Sequence, residues 1–218
     1  MNPKLPCPRP TRVVLEGRYA RLEPLSLAHA AGLLAASAEA KSFDYLFDVP
    51  PKDLADLKAY IEAKSKSEDP LFHSVIDKAT GSAGGRQTFM RITPEHGVIE
   101  VGNILWGPAI ARTRVATEAL YLSAKHVFED LGYRRYEWKC NNLNEPSKAA
   151  AKRFGFAFEG VFRQHMWVKG ASRDTAWFAM IDRDWPRIRA AYERWLAPDN
   201  FDAAGRQRAK LEVPTSAA

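Results

Sequence analysis

Residues 98 to 141 constrain the fold more than any other part of the chain. Val98–Trp106 reads as a mostly apolar strand, Pro108 to Thr113 as a short loop, and Arg114 to Leu131 as a long helix. Ala116, Leu120, Ala124, Val127 and Leu131 form the buried face of that helix, and Gly132 is its natural stop. Arg134–Asn141 then alternates: Tyr136, Trp138 and Cys140 point one way, with Trp138 and Cys140 expected inside, and Arg135, Glu137 and Lys139 the other. Two strands separated by a helix pair parallel, because the crossover returns the chain to the same end of the sheet. The apolar first strand belongs in the middle of that sheet.

The flanking segments build around this unit. A Pro-rich lead-in occupies residues 1–12. A short strand follows at Ala20–Leu25, and Ser26 caps a helix over Leu27–Ala38. Tyr45 to Pro50 is an aromatic loop, and Pro51 opens a second helix with Leu54, Leu57 and Ile61 on its apolar stripe. Leu71–Asp77 and Ser82–Ile92 are strands of antiparallel hairpins, and Gly84-Gly85 marks a bulge or bend. Asn144 caps a helix over Glu145–Phe154. Three strands follow at Phe156–Phe162, Arg163–Lys169 and Thr175–Ile181, with a turn at Gly170–Asp174. An amphipathic helix capped by Asp184 runs from Trp185 to Leu196, and residues 198–218 read as a loosely held polar tail. The pattern predicts one mixed-sheet α/β domain over residues 13–197.

Composition narrows the function classes. A chain of 218 residues can bury a sizeable core without staples. Its two cysteines, Cys7 and Cys140, exclude a disulfide framework and a Cys-based zinc cluster, and no metal site is expected. No segment approaches the roughly 18 apolar residues of a membrane span, and the N-terminus lacks the apolar run of a signal peptide. The expected setting is the cytoplasm. A net charge of +6 favours anionic partners without choosing among them. The charges are scattered and carry no RNA-binding strand motif or helix-turn-helix, so nucleic acid is not the expected partner.

The helix opening at Arg114 offers an anion site through its free N–H groups and its dipole, with Arg112 and Arg114 adding positive charge. Two solvated arginines on a surface turn would look the same. Here the chain resembles a family. Pro108-Ala109-Ile110-Ala111-Arg112-Thr113-Arg114-Val115-Ala116-Thr117 is similar to the pyrophosphate loop of the GNAT superfamily N-acetyltransferases. Asn144-Glu145-Pro146-Ser147, Lys152-Arg153-Phe154-Gly155-Phe156 and Glu159-Gly160 resemble its RimJ/RimL-like branch. The loop departs from the family pattern: Ala111 and Arg114 stand at its first and fourth positions, where the family usually has Gln or Arg and Gly, and only Ala116 keeps the small residue. Arg114 must therefore swing out of the loop.

The resemblance implies a sheet splayed at an acetyl-CoA site, flanked by helices, with an extra C-terminal helix that could serve a homodimer. It implies cofactor contacts from Ile104, Leu105, Trp106, Arg112, Thr113, Arg114, Val115, Ala116 and Thr117. It also gives Asn144 to the pantetheine and Ser147 to the departing thiolate. The expected reaction is direct acetyl transfer to a primary amine of a protein N-terminus or a small molecule. A buried carboxylate at Glu100 is the first candidate base, unless it faces solvent or pairs with an arginine, and His165 is the second. His73 could line the acceptor side, with Phe43, Tyr45, Phe47, Trp167 and Trp177 near the acceptor groove. The alternative is a non-catalytic acyl-CoA-binding module of the same fold.

Overall fold

The computed structural model describes residues 4–213; the first three residues of the lead-in and the last five of the tail lie outside the described residues. Eight strands form one sheet: β1 (Leu15–Glu16), β2 (Ala20–Pro24), β3 (Leu71–Asp77), β4 (Ser82–Thr93), β5 (Val98–Trp106), β6 (Arg135–Asn141), β7 (Ala157–Val168) and β8 (Ala171–Ile181). Their order is β1-β2-β3-β4-β5-β6-β8-β7. β5 and β6 pair parallel, and the other neighbours pair antiparallel.

Helices cover both faces. α1 (Ala30–Ala36), entered through a 3-10 turn at Leu27–His29, and α2 (Leu54–Lys64) enclose Leu25, Leu33, Leu57, Ile61, Phe72 and Ile76 against β2 to β4. On the other face lie α3 (Arg114–Lys125), α4 (Glu145–Arg153) and α5 (Trp185–Trp195). There Leu120, Ala124, Tyr136, Phe178 and Tyr192 belong to the main core. α3 is buried on nearly every side, not on one stripe, because α5 and the β1–β2 turn cover its outer surface. Its carboxylate Glu118 accepts the backbone N–H groups of Arg18, Tyr19 and Ala20 at 3.0, 2.5 and 2.6 Å. The helix changes to a π-helical turn at His126–Asp130, short of the expected straight run to Leu131.

Three strands are interrupted by bulges centred on non-glycine residues of positive φ. In β4, Met90 pairs with Glu100 and Thr93 with Val98, so Arg91 (φ 47°) is extra. In β5, Thr88 pairs with Gly102 and Arg86 with Leu105, which places Asn103 (φ 48°) in the bulge. In β7, Phe162 pairs with Thr175 and Met166 with Arg173, around Gln164 (φ 51°). The last bulge joins the two strands expected over 156–169 into one, and the return turn is only Lys169-Gly170. The expected irregularity at Gly84-Gly85 is also present. Val75 pairs with Gly85 and Ile76 with Ala83, and a Cβ on Gly84 would meet Ile110 Cγ2 at 2.4 Å.

The tail differs from the loose segment expected. Phe201 and Leu211 are buried, Arg208 N–H bonds Asn200 O at 2.7 Å, and Trp195 Nε1 donates to Gln207 Oε1 at 3.0 Å. α5 packs its apolar face, Trp185, Ile188, Tyr192 and Trp195, against α3 and this tail. Among the described residues, exposed aromatics lie on the edge strand β7, at Phe158, Phe162 and Trp167, and on the segment before α2, at Tyr45 and Phe47. Among the described residues no helix is long and apolar enough to cross a membrane.

Candidate active site

The parallel pairing of β5 with β6 runs only from Val98–Arg135 to Val101–Trp138. At Gly102 the β5 bulge turns that strand away, while β6 continues beside β8 to Asn141. The gap opens into a cavity of about 650 Å³, within the range of small-molecule sites. It passes the sheet, so its lining divides into two halves.

One half sits at the N-terminus of α3. Ala111, Arg112, Ala116 and Thr117 line it, with Ile104 and Trp106 from β5 and Asn144, Ser147 and Arg153 from α4 and its cap. Thr113 is the N-cap: its Oγ1 accepts Val115 N–H at 3.2 Å. Among the described residues the N–H groups of Arg114 and Ala116 have no acceptor, so they remain available to an anion. Arg112 is exposed at the rim with φ 64°. Arg153 donates to Thr117 Oγ1 at 3.2 Å, and burial pulls its pKa down. The sequence holds Arg153 inside a motif but gives no sign that it turns toward this loop.

Several side chains of the expected cofactor set do not line the cavity. Arg114 does swing out, but its guanidinium stacks 4.3 Å from the Tyr19 ring centroid and 5.2 Å from that of Phe201, outside the cavity. Val115 is buried in the core, and the Leu105 side chain is buried without lining the cavity. Asn144 Oδ1 caps α4 by accepting Ser147 N–H at 3.1 Å, and Asn144 also lines the cavity. Ser147 Oγ accepts Trp138 Nε1–H at 3.0 Å, which leaves its own O–H to be donated.

The other half is a ladder of charges on the opposite face. Glu100 is 2% exposed and combines the two alternatives left open by the sequence, for it is both buried and paired. Arg91 reaches its Oε1 at 2.6 Å and Lys139 its Oε2 at 2.8 Å. Burial pushes the Glu100 pKa above the usual carboxylate range, while Lys139 and Arg91 pull the other way. Lys139 also contacts Glu137 at 2.6 Å and lies 3.9 Å over the Trp177 ring. Arg135 continues the ladder from Glu137 to Glu159. His165, turned by the β7 bulge, faces the cavity with Nδ1 3.0 Å from Thr175 Oγ1. Burial lowers its pKa, helped by Arg91, Arg173 and Lys139.

Residues 40–50 cross the mouth. Asp48 pairs with buried Arg86 at 2.7 Å, Tyr45 O–H bonds Leu143 O at 3.3 Å, and Lys169 Nζ bonds Phe43 O at 2.7 Å. Tyr45 and Phe47 line the cavity, and Phe43 is buried without lining it. Trp177 stacks on Phe162, while Trp167 is 75% exposed and outside the cavity. His73 is far from an acceptor role: it is core, edge-on to Phe89, with Nε2 3.3 Å from Val13 O.

Residues 20–157 match the acetyltransferase (GNAT) domain, more than half of the chain. A GCN5-related N-acetyltransferase from Brucella melitensis is 54% identical, superposes with a TM-score of 0.92, and covers 95% of this chain and 96% of its own. This chain belongs to the GNAT acetyltransferase family. A probable GNAT-family acetyltransferase from Chromobacterium violaceum is 35% identical, with a TM-score of 0.76 over 83% of this chain and 91% of that one. RimL, the ribosomal L7/L12 α-N-protein acetyltransferase, shares the fold at 17% identity, with a TM-score of 0.66 over 78% of this chain and 94% of its own. No curated protein matches. GNAT enzymes generally use acetyl-CoA, and the cavity fits it. The open N–H groups of α3 with Arg112 and Arg153 suit a diphosphate, and the splayed edge of β5 suits an extended pantetheine.

Proposed function

We propose that the protein transfers an acetyl group from acetyl-CoA directly to a primary amine, of a protein N-terminus or a small molecule, with Glu100 as the proton acceptor. Acetyl-CoA supplies the thioester carbonyl and the thiol leaving group. The observation that carries the reading is the position of Glu100, a raised-pKa carboxylate buried where the sheet splays and lining the same cavity as the α3 N-terminus. A carboxylate so placed takes a proton from the incoming ammonium, directly or through a water. Its cationic neighbours Arg91 and Lys139 favour the neutral amine over the ammonium. Ser147, whose Oγ accepts from Trp138 and whose hydroxyl faces Cys140, gives a proton to the thiolate. Arg112, Arg153, Asn144 and the backbone of Ile104 to Trp106 hold the cofactor, and His165 lies at the acceptor side as an orienting group or second proton acceptor.

The test is thiol release from acetyl-CoA against a panel of amines, with calorimetric binding of acetyl-CoA measured in parallel. Micromolar binding with amine-dependent release supports the reading. Binding without release on any amine would instead establish a module that has kept the fold and lost the reaction.

A further inference from the structure

Arg173, on β8, is 7% exposed and lines the cavity, yet among the described residues no carboxylate or carbonyl pairs with its guanidinium. Its Nε has no hydrogen-bond partner, the Phe47 ring lies 5.2 Å away, and Glu100, already paired with Arg91 and Lys139, acts on it only through the field of its charge. The other buried cations of the site are satisfied: Lys139 by Glu100 and Glu137, Arg86 by Asp48. A buried charge normally has a counter-ion, because desolvation without one is costly. A single exposed aromatic ring is a weak substitute.

The sheet register says which end of the cavity Arg173 serves. Lys139 pairs with Trp177 and Asn141 with Thr175, so Arg173, Thr175 and Trp177 alternate onto the face of Lys139 and Glu100. The α3 N-terminus, Arg112 and Arg153, which suit the cofactor phosphates, are on the other side. Arg173 instead neighbours His165, whose Nδ1 is beside Thr175, and the Phe47 segment over the mouth. A guanidinium presents a planar fork that matches a carboxylate.

We propose that Arg173 binds a carboxylate carried by the acceptor, so that the preferred acceptors are amines bearing a nearby carboxylate. This rests on the acetyl-transfer reading of the cavity. It resolves an electrostatic difficulty of that reading: an ammonium must approach Arg91, Lys139 and Arg173, which outnumber Glu100. A carboxylate on the same molecule offsets that repulsion, and the cations then help the amine lose its proton.

The experiment compares acceptors that differ only in the carboxylate. One arm sets free aspartate and serine against their amides. The other sets C-terminally amidated peptides beginning Ser-Asp against Ser-Asn, which separates a small amino acid from an acidic N-terminus. In at least one arm the carboxylate member is expected to lead by about tenfold or more in kcat/KM. Arg173→Gln is expected to erase that lead, and Arg173→Lys, which keeps the charge and loses the fork, to retain part of it. Equal rates in the wild type, or an unchanged preference in Arg173→Gln, overturn the proposal while the acetyl-transfer reading stands. Glutarate supplies a readout that needs no turnover. It should raise the thermal midpoint of the wild type and leave that of Arg173→Gln unmoved. If no amine is acetylated, the transfer reading fails and glutarate decides the Arg173 site by itself: equal shifts in both proteins overturn it.

Discussion

Glu118 and Glu100 are both buried carboxylates on the central unit of the fold, and they are held in opposite ways. Glu118 accepts three backbone N–H groups of the β1–β2 turn, fixed donors that cannot move without unfolding that turn. Gly17 belongs to the same packing, for a Cβ there would stand 2.7 Å from the Glu118 carboxyl. Glu100 is held by two side-chain cations and borders a cavity. Backbone donors fix a carboxylate in place, whereas side-chain cations beside a cavity leave it open to an incoming proton. A buried carboxylate is therefore a clamp or a reagent according to what holds it.

The largest effect should come from breaking the clamp. Glu118→Ala removes the acceptor of three backbone donors, one of them fully buried, and is expected to cost about 3–5 kcal/mol of stability by chemical denaturation. A loss under about 1 kcal/mol would mean that water replaces the carboxylate and the contrast is false.

His73 extends the contrast to a buried base with a structural role. It titrates at about 4 in the fold against 6.5 in its unperturbed state, chiefly through burial. Between those values the unfolded chain holds the proton and the folded chain does not. Its contribution is complete above pH 6.5 and lost as pH falls toward 4, amounting to about 3 kcal/mol. His73→Gln should flatten that part of the stability profile between pH 7 and pH 4.5, with no change in the pH dependence of turnover.

Glu100→Gln should show its largest effect on rate. We expect about 10²-fold or more loss in kcat and disappearance of the acid limb of the rate profile, with acetyl-CoA affinity kept within about threefold. His165→Ala should retain that limb; if it removes the limb instead, the two proton acceptors exchange roles.

The smallest effect separates the two arginines near α3. Arg114→Ala should cost about 1 kcal/mol of stability through its lost contacts with Tyr19 and Phe201, and leave acetyl-CoA binding nearly unchanged. Arg153→Ala should weaken that binding by about tenfold, measured by calorimetry.

The crossover unit, the mixed sheet and the family were legible in the sequence, because periodicity and the Asn144–Ser147 and Gly155-Phe156 motifs are local signals. Glu100 was legible as a carboxylate among apolar neighbours. Its partners were not: Arg91 reaches it only because a bulge at positive φ turns the side chain, and an arginine carries no sequence mark of that conformation. Gln164 hid in the same way, and its bulge read as a break between two strands. Arg153 and Arg173 depend on which side of the splay each element presents, which is tertiary information. Glu118 carries no mark in the sequence, since nothing in α3 announces that the β1–β2 turn lies over it.

The short β5–β6 pairing also has a mechanical meaning. Four registered residue pairs stitch one antiparallel leaf, β1 to β5, to a second made of β6, β8 and β7. Glu100 spans that seam, with Arg91 on the first leaf and Lys139 on the second. Gaining or losing one proton at its carboxyl thus alters a tie between the two leaves, so the chemistry of the gap and the width of the gap share a single fastening.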